Sequence, residues 1–292
     1  MIISGMDTSA VTNLLNDYYS IENTLIRRGF DIKDEEDVSR VINTTDLFYE
    51  NLKSFSFRQI LKAIYDSSNG MSQSDLLEKF TNLTHEALAV KLNTLVEQKC
   101  ISSEDSNGCY RKINEKEYPT TFEWLVSEII KREMRGISRI NVKIQNLKCG
   151  GDYDVISRLE DLLVHFECKS GSINNITEKD ISLFIARYKE LAPSLSILVL
   201  DTNGLPDEFK AKFQKADWQH FGLQPRTPKR RRVKGRGIFY ELFPRISVLT
   251  SEGNLVGNIK FAINHFFAYV KPYGLTKPGQ DYFEKFYDEH EV

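Results

Sequence analysis

Three residues in the second half of the sequence have types and a spacing that could support phosphodiester hydrolysis. Glu167 and Lys169 stand two positions apart, and twelve residues, 155–166, separate Asp154 from Glu167. Carboxylate oxygens hold Mg²⁺ with few protein contacts and leave water and phosphate oxygens to complete its octahedron. The metal lowers the pKa of a bound water, and a neighbouring lysine can orient or deprotonate that water and stabilise the oxyanion. These residues therefore predict a site that uses Mg²⁺ or Mn²⁺.

Two predicted strands position these side chains. The apolar run Leu162–Val164 leads into Glu167, and Val155 and Ile156 follow Asp154. Because side chains alternate along a strand, Glu167 and Lys169 share one face, while Phe166 and Cys168 point into the core. A hairpin would return Asp154 beside Glu167. A surface ion pair on an edge strand is the competing interpretation, but it does not explain the apolar run.

The pattern resembles a known family of nucleases. Asp154 and Glu167-Cys168-Lys169, preceded by Gly150-Gly151 and followed by Ser170-Gly171, are similar to the motif of the PD-(D/E)xK nuclease superfamily, in particular its Mrr-like restriction endonuclease branch. The likeness covers roughly 120–270. It implies an α/β fold with a mixed sheet flanked by helices, and an endonuclease that depends on Mg²⁺ or Mn²⁺. In this resemblance Asp154 and Glu167 are metal ligands, and Asp154, Glu167 and Lys169 are catalytic.

The resemblance leaves two residue assignments open. The proline that gives the motif its name is absent before Asp154, and Asp152 competes with Asp154 for the metal. Asp154 is favoured because an apolar pair follows it, as in the family, and Asp152 is kept as an assisting metal ligand. Many relatives also carry an acidic residue on the first helix, where Glu123 is the first candidate catalytic residue and Glu128 the alternative.

The hydrophobic pattern gives an order of elements that agrees with the family. A helix is expected to end with Gly136 as its C-terminal cap. The strand at 195–201 is a continuous apolar run, as expected for the centre of a sheet. The predicted elements of this half are a helix at 121–135, strands at 139–146, 153–158 and 162–169, a helix at 177–191, strands at 195–201 and 243–249, and a helix at 255–269.

The region before this half resembles a winged helix-turn-helix. Three short helices are expected at 57–65, 72–80 and 84–98, followed by a hairpin whose second strand holds Cys109–Ile113. In a DNA-binding role the third helix would enter the major groove with His85, Lys91 and Asn93, while Arg111 and Lys112 would grip phosphate. Glu86 and Glu97 on that helix equally favour a protein-interaction or dimerisation role. Both roles stay open.

A basic cluster and one basic helix add candidate contacts to the nucleic-acid backbone. Seven of the eleven residues from Arg226 to Arg236 are basic, among them Lys229, Arg230, Arg231, Arg232 and Lys234. Such a cluster gives salt-dependent affinity for phosphate that is independent of sequence. A mobile basic loop is the alternative. On the helix at 177–191, Arg187 could approach a phosphate, although solvated helix charges are more common.

Length and composition limit the other possibilities. The chain has 292 residues and a net charge of −2, which allows two compact units and does not by itself indicate a nucleic-acid binder. The expected division is a helical segment at 1–50, the winged-helix unit at 51–117 and the nuclease-like domain at 118–292. The four cysteines lack a CxxC spacing, which argues against structural zinc and a disulfide framework. No signal peptide or membrane span is recognised, so a cytoplasmic location is expected.

The sequence thus predicts a DNA endonuclease, with restriction or anti-phage defence as its setting by family analogy. A non-cleaving DNA-binding transcriptional regulator is the alternative from another class, although it need not retain Asp154, Glu167 and Lys169 together. A nuclease that acts on DNA junctions or RNA is the third. Homodimerisation is expected because cutting both strands of a duplex generally takes two sites, and the winged-helix unit could also bind a protein partner.

Overall fold

A seven-stranded mixed sheet forms the centre of the fold. The computed structural model describes residues 20–33, 45–103, 108–113, 117–150, 152–204, 207–216, 229–232, 238–243 and 245–270. The strands of the sheet are β3 (Ile137–Lys143), β4 (Asp152–Leu159), β5 (Leu162–Lys169), β6 (Leu195–Leu200), β7 (Lys229–Arg232), β8 (Ile238–Phe243) and β9 (Ile246–Thr250). Their spatial order is β3-β4-β5-β6-β9-β8-β7. The pairs β5–β6 and β6–β9 are parallel, and the other pairs are antiparallel.

Helices cover both faces of the sheet. The described helices are α1 (Ile21–Ile26), α2 (Asp46–Leu52), α3 (Phe55–Asp66), α4 (Gln73–Lys79), α5 (His85–Glu97), α6 (Tyr118–Met134), α7 (Glu178–Leu191), α8 (Asp207–Lys215) and α9 (Leu255–Val270). Buried residues of α6 and α9 pack with Phe166 and Cys168 on one face of the sheet. Those of α7 and α8 pack with Leu198 on the other. The predicted mixed sheet flanked by helices is confirmed.

The helical unit before the sheet contains α2 to α5 and a small pair of strands. Strand β1 (Met71–Ser72) pairs antiparallel with β2 (Cys109–Tyr110), and a single bridge joins Ile101 to Lys112. Helix α4 begins with a capping box between Ser72 and Asp75. This unit shares one continuous hydrophobic core with α6 and the sheet. It is mainly helical, as predicted, whereas its winged-helix assignment and the domain boundaries stay predictions.

The N-terminal segment lies against the sheet. Ile21 and Leu25 of α1 are buried with Tyr153 of β4. Ile32 forms an antiparallel bridge to Ile144, which extends the edge of the sheet beyond β3. The predicted helix at the start of this segment lies outside the described residues. Among the described residues, no helix is both long and apolar enough to cross a membrane.

The last third of the chain differs from the sequence analysis at one predicted strand, at the loop alternative for the basic cluster, and at one helix that was missed. The single strand predicted at 243–249 is two, because β8 ends at Phe243 and β9 begins at Ile246. Lys229–Arg232 form the edge strand β7 rather than a loop. Helix α8 was not predicted. Four consecutive basic residues carry no alternating pattern, so the pairing of β7 with β8 could not be read from them.

The end of α6 differs in detail from the prediction. Arg135, not Gly136, takes the left-handed conformation, with φ of 55°. Gly136 is required for space instead, because a Cβ there would lie 2.6 Å from Leu159 Cδ2 and 3.0 Å from the Arg158 carbonyl oxygen. This close approach lets the chain turn directly from α6 into β3.

Candidate active site

Asp154 lies where β4 and β5 separate. The paired residues of the two strands run from Leu159–Leu162 to Val155–Phe166, so that the next position would set Asp154 opposite Glu167. There the Cys168 N–H donates a hydrogen bond of 2.7 Å to Oδ2 of the Asp154 carboxylate, rather than to a backbone carbonyl of β4. The predicted hairpin thus brings Asp154 beside the Glu167-Cys168-Lys169 strand.

Glu167 is buried between two cations. Its side chain is 2% exposed, and Oε1 accepts a hydrogen bond of 2.8 Å from Lys169 Nζ. Oε2 accepts a hydrogen bond of 2.6 Å from Arg187 Nη1 on α7. Arg187, predicted as a nucleic-acid contact with a solvated helix charge as the alternative, is therefore a buried member of the carboxylate cluster. Both oxygens of Glu167 are thereby held by positive charge.

Glu123 reaches the cluster from helix α6. Its Oε2 is buried and has no hydrogen-bond partner among the described residues. Burial, followed by the charges of Asp154 and Glu167, raises the pKa of Glu123 to about 9. The alternative residue, Glu128, instead forms ion pairs with Lys131 at 3.0 Å and Arg132 at 2.7 Å on its own helix. The geometry therefore favours Glu123 as the helix carboxylate of the site.

The pKa values of the other charged groups of the site also shift, some of them up and one of them down. Burial and the charge of Glu167 raise the pKa of Asp154 to about 7. Burial also disfavours the ionised form of Glu167, but Lys169 and Arg187 outweigh it and hold its pKa below the usual range. Glu167 in turn outweighs the burial of Lys169 and raises the pKa of that ammonium. Near neutral pH, Glu167 is therefore ionised, Glu123 is protonated, and Asp154 has a pKa close to the pH.

Asp152 lies at the rim of this cluster. Its side chain is 47% exposed, and Oδ2 is 3.6 Å from Lys143 Nζ on β3. Its charge is the smallest of the named contributions that raise the pKa of Glu123. Asp154 is half-buried and accepts a hydrogen bond from β5, so it lies deeper in the cluster than Asp152. The assisting role of Asp152 stays a prediction.

His165 was not recognised from the sequence. It lies on β5, on the same face as Glu167 and fully buried, and its Nε2 is 3.7 Å from Glu167 Oε2. Its Nδ1 is 3.2 Å from Ser196 Oγ on β6. Burial lowers the pKa of His165 to about 4, so the ring is neutral near neutral pH. The spacing of two residues before Glu167 was the available signal, since it sets both side chains on one face.

The donor set suits a small divalent cation. Mg²⁺ is usually held by one or two carboxylates together with water and substrate phosphate, rather than by a complete protein cage. In the described ranges, no group of three or more His, Cys, Asp or Glu side chains could hold a metal ion. Asp154 and Glu167 would supply the two carboxylates, and both act electrostatically on Glu123, whose buried Oε2 has no hydrogen-bond partner among the described residues.

The predicted nucleic-acid contacts lie in three places. On α5, His85 and Asn93 are exposed, whereas Lys91 is half-buried with its ammonium 6.0 Å from the centre of the Phe57 ring. Arg111 is half-buried and Lys112 exposed. Lys229, Arg230, Arg231 and Arg232 form β7 at the edge of the sheet, and Lys234 lies outside the described residues. Their binding roles stay predictions.

Comparison with solved structures finds similar chains, among them two proteins of known structure. One is the protein VC1899 from Vibrio cholerae, at 18% identity and a TM-score of 0.39, with 62% of this chain and 52% of that chain covered. The other is Can2 from Sulfobacillus thermosulfidooxidans in complex with cyclic tetra-adenylate, at 12% identity and a TM-score of 0.39, with coverages of 70% and 56%. The chain thus spans about half the length of each. No family model matches the sequence, and no curated protein does.

We expect the raised pKa of Glu123 to make the stability of the protein fall as the pH rises. The folded protein binds the proton of Glu123 up to about pH 9, whereas the unfolded chain releases it near the ordinary value of 4.5. Stability gained from that proton is therefore present at low pH and lost between these two values. In Glu123→Gln, stability should therefore depend less on pH. A weaker decrease in stability, due to Asp154, should remain up to about pH 7.

Urea unfolding in chelator at several values from pH 5 to 9 measures this effect. Glu128→Gln, on the same helix but outside the cluster, is the matched control and should leave the slope attributable to Glu123 in place. An identical pH dependence in wild type and Glu123→Gln would show that Glu123 is ionised in the folded protein.

Proposed function

We propose that the protein is a metal-dependent endonuclease that hydrolyses DNA phosphodiester bonds. The observation that carries the proposal is the junction of β4, β5 and α6, where the buried Glu167 lies among the half-buried side chains of Asp154, Lys169 and Glu123. An ordinary surface ion pair would not bury a carboxylate such as Glu167 beside further carboxylates, because that arrangement costs stability. Such clusters of shifted pKa values are typical of functional sites.

Each residue has a role that follows from its place. Asp154 and Glu167 would hold Mg²⁺ or Mn²⁺, with Glu123 as the additional acceptor. The metal would supply Lewis acidity and a bound water of lowered pKa. Lys169, whose side chain is 30% exposed at the mouth of the cluster, would orient the attacking water and stabilise the negative charge that develops on the phosphate.

The experiment is cleavage of supercoiled plasmid, single-stranded DNA, junction DNA and RNA with Mg²⁺, with Mn²⁺ and with chelator. Metal-dependent cutting of the plasmid supports the proposal, and cutting of RNA or junctions alone would reassign the substrate. Salt-sensitive DNA binding by folded protein with no cleavage of any substrate would favour a non-cleaving regulator. Homodimerisation, a protein partner of the helical unit, and a role in restriction or anti-phage defence remain proposals attached to this function.

We expect the basic strand β7 to supply affinity rather than chemistry. Replacing Lys229, Arg230, Arg231 and Arg232 with glutamine should weaken DNA binding at every sequence. It should also reduce the slope of log K against log salt by about 0.9 for each lost phosphate contact to duplex DNA. Fluorescence anisotropy at several salt concentrations measures both quantities. Lys91→Gln on α5 tests the winged-helix contact in the same assay, and an unchanged slope in the β7 variant would exclude the strand from the interface.

A further inference from the structure

Two cations contact Glu167, and one of them, Arg187, comes from a different element. The two cations on its carboxylate differ in how firmly they are fixed. Lys169 is on the same strand, has a flexible stem, and its side chain is 30% exposed, whereas the Arg187 side chain is 9% exposed. Arg187 also makes the shorter contact, 2.6 Å against 2.8 Å. Of the two, Arg187 is the better anchor.

The surroundings of Arg187 hold its guanidinium in place. The guanidinium lies over the ring of Tyr153, 5.5 Å from its centre, and that ring is buried under α1 and β3. A capping box between Thr177 and Asp180 fixes the start of α7, on which Arg187 lies. The contact to Glu167 is a single hydrogen bond from Nη1, and the buried Nε has no hydrogen-bond partner among the described residues. The direction of the guanidinium is therefore set by its burial and by its packing over Tyr153, to which a planar guanidinium is better suited than an ammonium.

We propose that Arg187 is a positioning residue. It acts by orienting the carboxylate of Glu167 and does not itself contact nucleic acid. The proposal deepens the proposed function and rests on it. Arg187 fixes one oxygen of the carboxylate from within the core, and Lys169 at the open side remains available for the reaction. A divalent cation at Glu167 would share the carboxylate with Arg187, and like charges on one ligand oppose each other.

Arg187→Gln therefore gives two effects of opposite sign. Removal of the competing charge should strengthen Mn²⁺ binding in the absence of nucleic acid by about tenfold. Loss of orientation should lower kcat by about 10²-fold while the KM for DNA changes little. Arg187→Lys keeps the charge without the planar group that packs over Tyr153, so its Mn²⁺ affinity should stay near that of the wild type while kcat still falls. Damage to the fold alone would weaken both properties together.

The test combines calorimetric titration with Mn²⁺, steady-state cleavage and thermal unfolding for wild type, Arg187→Gln and Arg187→Lys. Lys189→Gln, an exposed basic residue on the same helix, is the control and should match the wild type. A raised KM and altered salt dependence with kcat retained would instead make Arg187 a substrate contact. Weaker Mn²⁺ binding with a lower melting temperature would make it a structural support, and unchanged values would leave it no role.

The titration also separates this inference from the proposed function. If the wild type cuts no nucleic acid, the proposed function fails, while tighter Mn²⁺ binding by Arg187→Gln still supports the link between Arg187 and Glu167. If no form of the protein binds Mn²⁺, the inference itself is overturned.

Discussion

Lys169→Met should reduce the rate of phosphodiester cleavage by about 10²–10³-fold, with DNA binding and folding retained. Lys169 Nζ contacts Glu167 from the open side of the site, where charge on a bound phosphate would develop. The fold should survive, because Arg187 still neutralises Glu167 from within. Single-turnover cleavage with Mg²⁺ measures the effect.

Two further variants sharpen that result. Lys169→Arg keeps the positive charge but changes its geometry, and should recover only a small part of the activity. Lys143→Met removes a half-exposed lysine of the same sheet that is paired with Asp152, and should stay within a few-fold of wild type. If Lys169→Met cut DNA nearly as fast as the wild type, Lys169 would have no part in the chemistry.

Arg58→Met should destabilise the protein by about 3–5 kcal/mol, the usual cost of leaving one partner of a buried ion pair unpaired. Arg58 on α3 is fully buried and donates from Nε to Asp201 Oδ1 at 3.0 Å. Tyr118 and Ser251 also donate to the Asp201 carboxylate. The network ties the helical unit to the end of β6, so the loss should spread to both parts of the shared core.

Urea unfolding measures the loss, and a double variant identifies its cause. In the Arg58→Met background, Asp201→Asn removes the carboxylate charge that has lost its partner. The double variant should therefore lose less unfolding free energy than the sum of the losses in the two single variants. Arg245→Met, at an exposed turn, is the control and should change stability by about 0.5 kcal/mol or less. A cost below about 1 kcal/mol for Arg58→Met would mean that Asp201 is compensated without Arg58.

The parts of this structure that follow local pattern could be predicted from the sequence. Alternation along β4 and β5 set Asp154 and Glu167 side by side, and the structure places them so. The apolar run of β6 and the amphipathic helices α6 and α7 also occur where the pattern put them. Strand alternation and helical periodicity are properties of neighbouring residues, so they can be recognised without knowing how distant parts of the chain pack.

Features that depend on distant packing could not be predicted. Nothing in the sequence brings Arg187 to Glu167 or Arg58 to Asp201, since each contact joins elements whose placement depends on the whole core. The nine-residue helix α8 was missed because it is short and its sequence is largely polar, with Phe209 and Phe213 as its large apolar residues. The left-handed turn at Arg135 was assigned to Gly136 because glycine is the usual residue there.

Plasmid cleavage by wild type and Asp154→Asn, with Mn²⁺ and with chelator, tests most directly whether the carboxylate cluster is a metal-dependent nuclease site. Asparagine keeps the size of the side chain and an oxygen for the Cys168 N–H, so the fold should remain intact while the charge that holds a metal is lost. We expect cutting by the wild type with Mn²⁺ only, and none by Asp154→Asn under either condition. Equal cutting by both proteins, or cutting that persists in chelator, would contradict the proposed site.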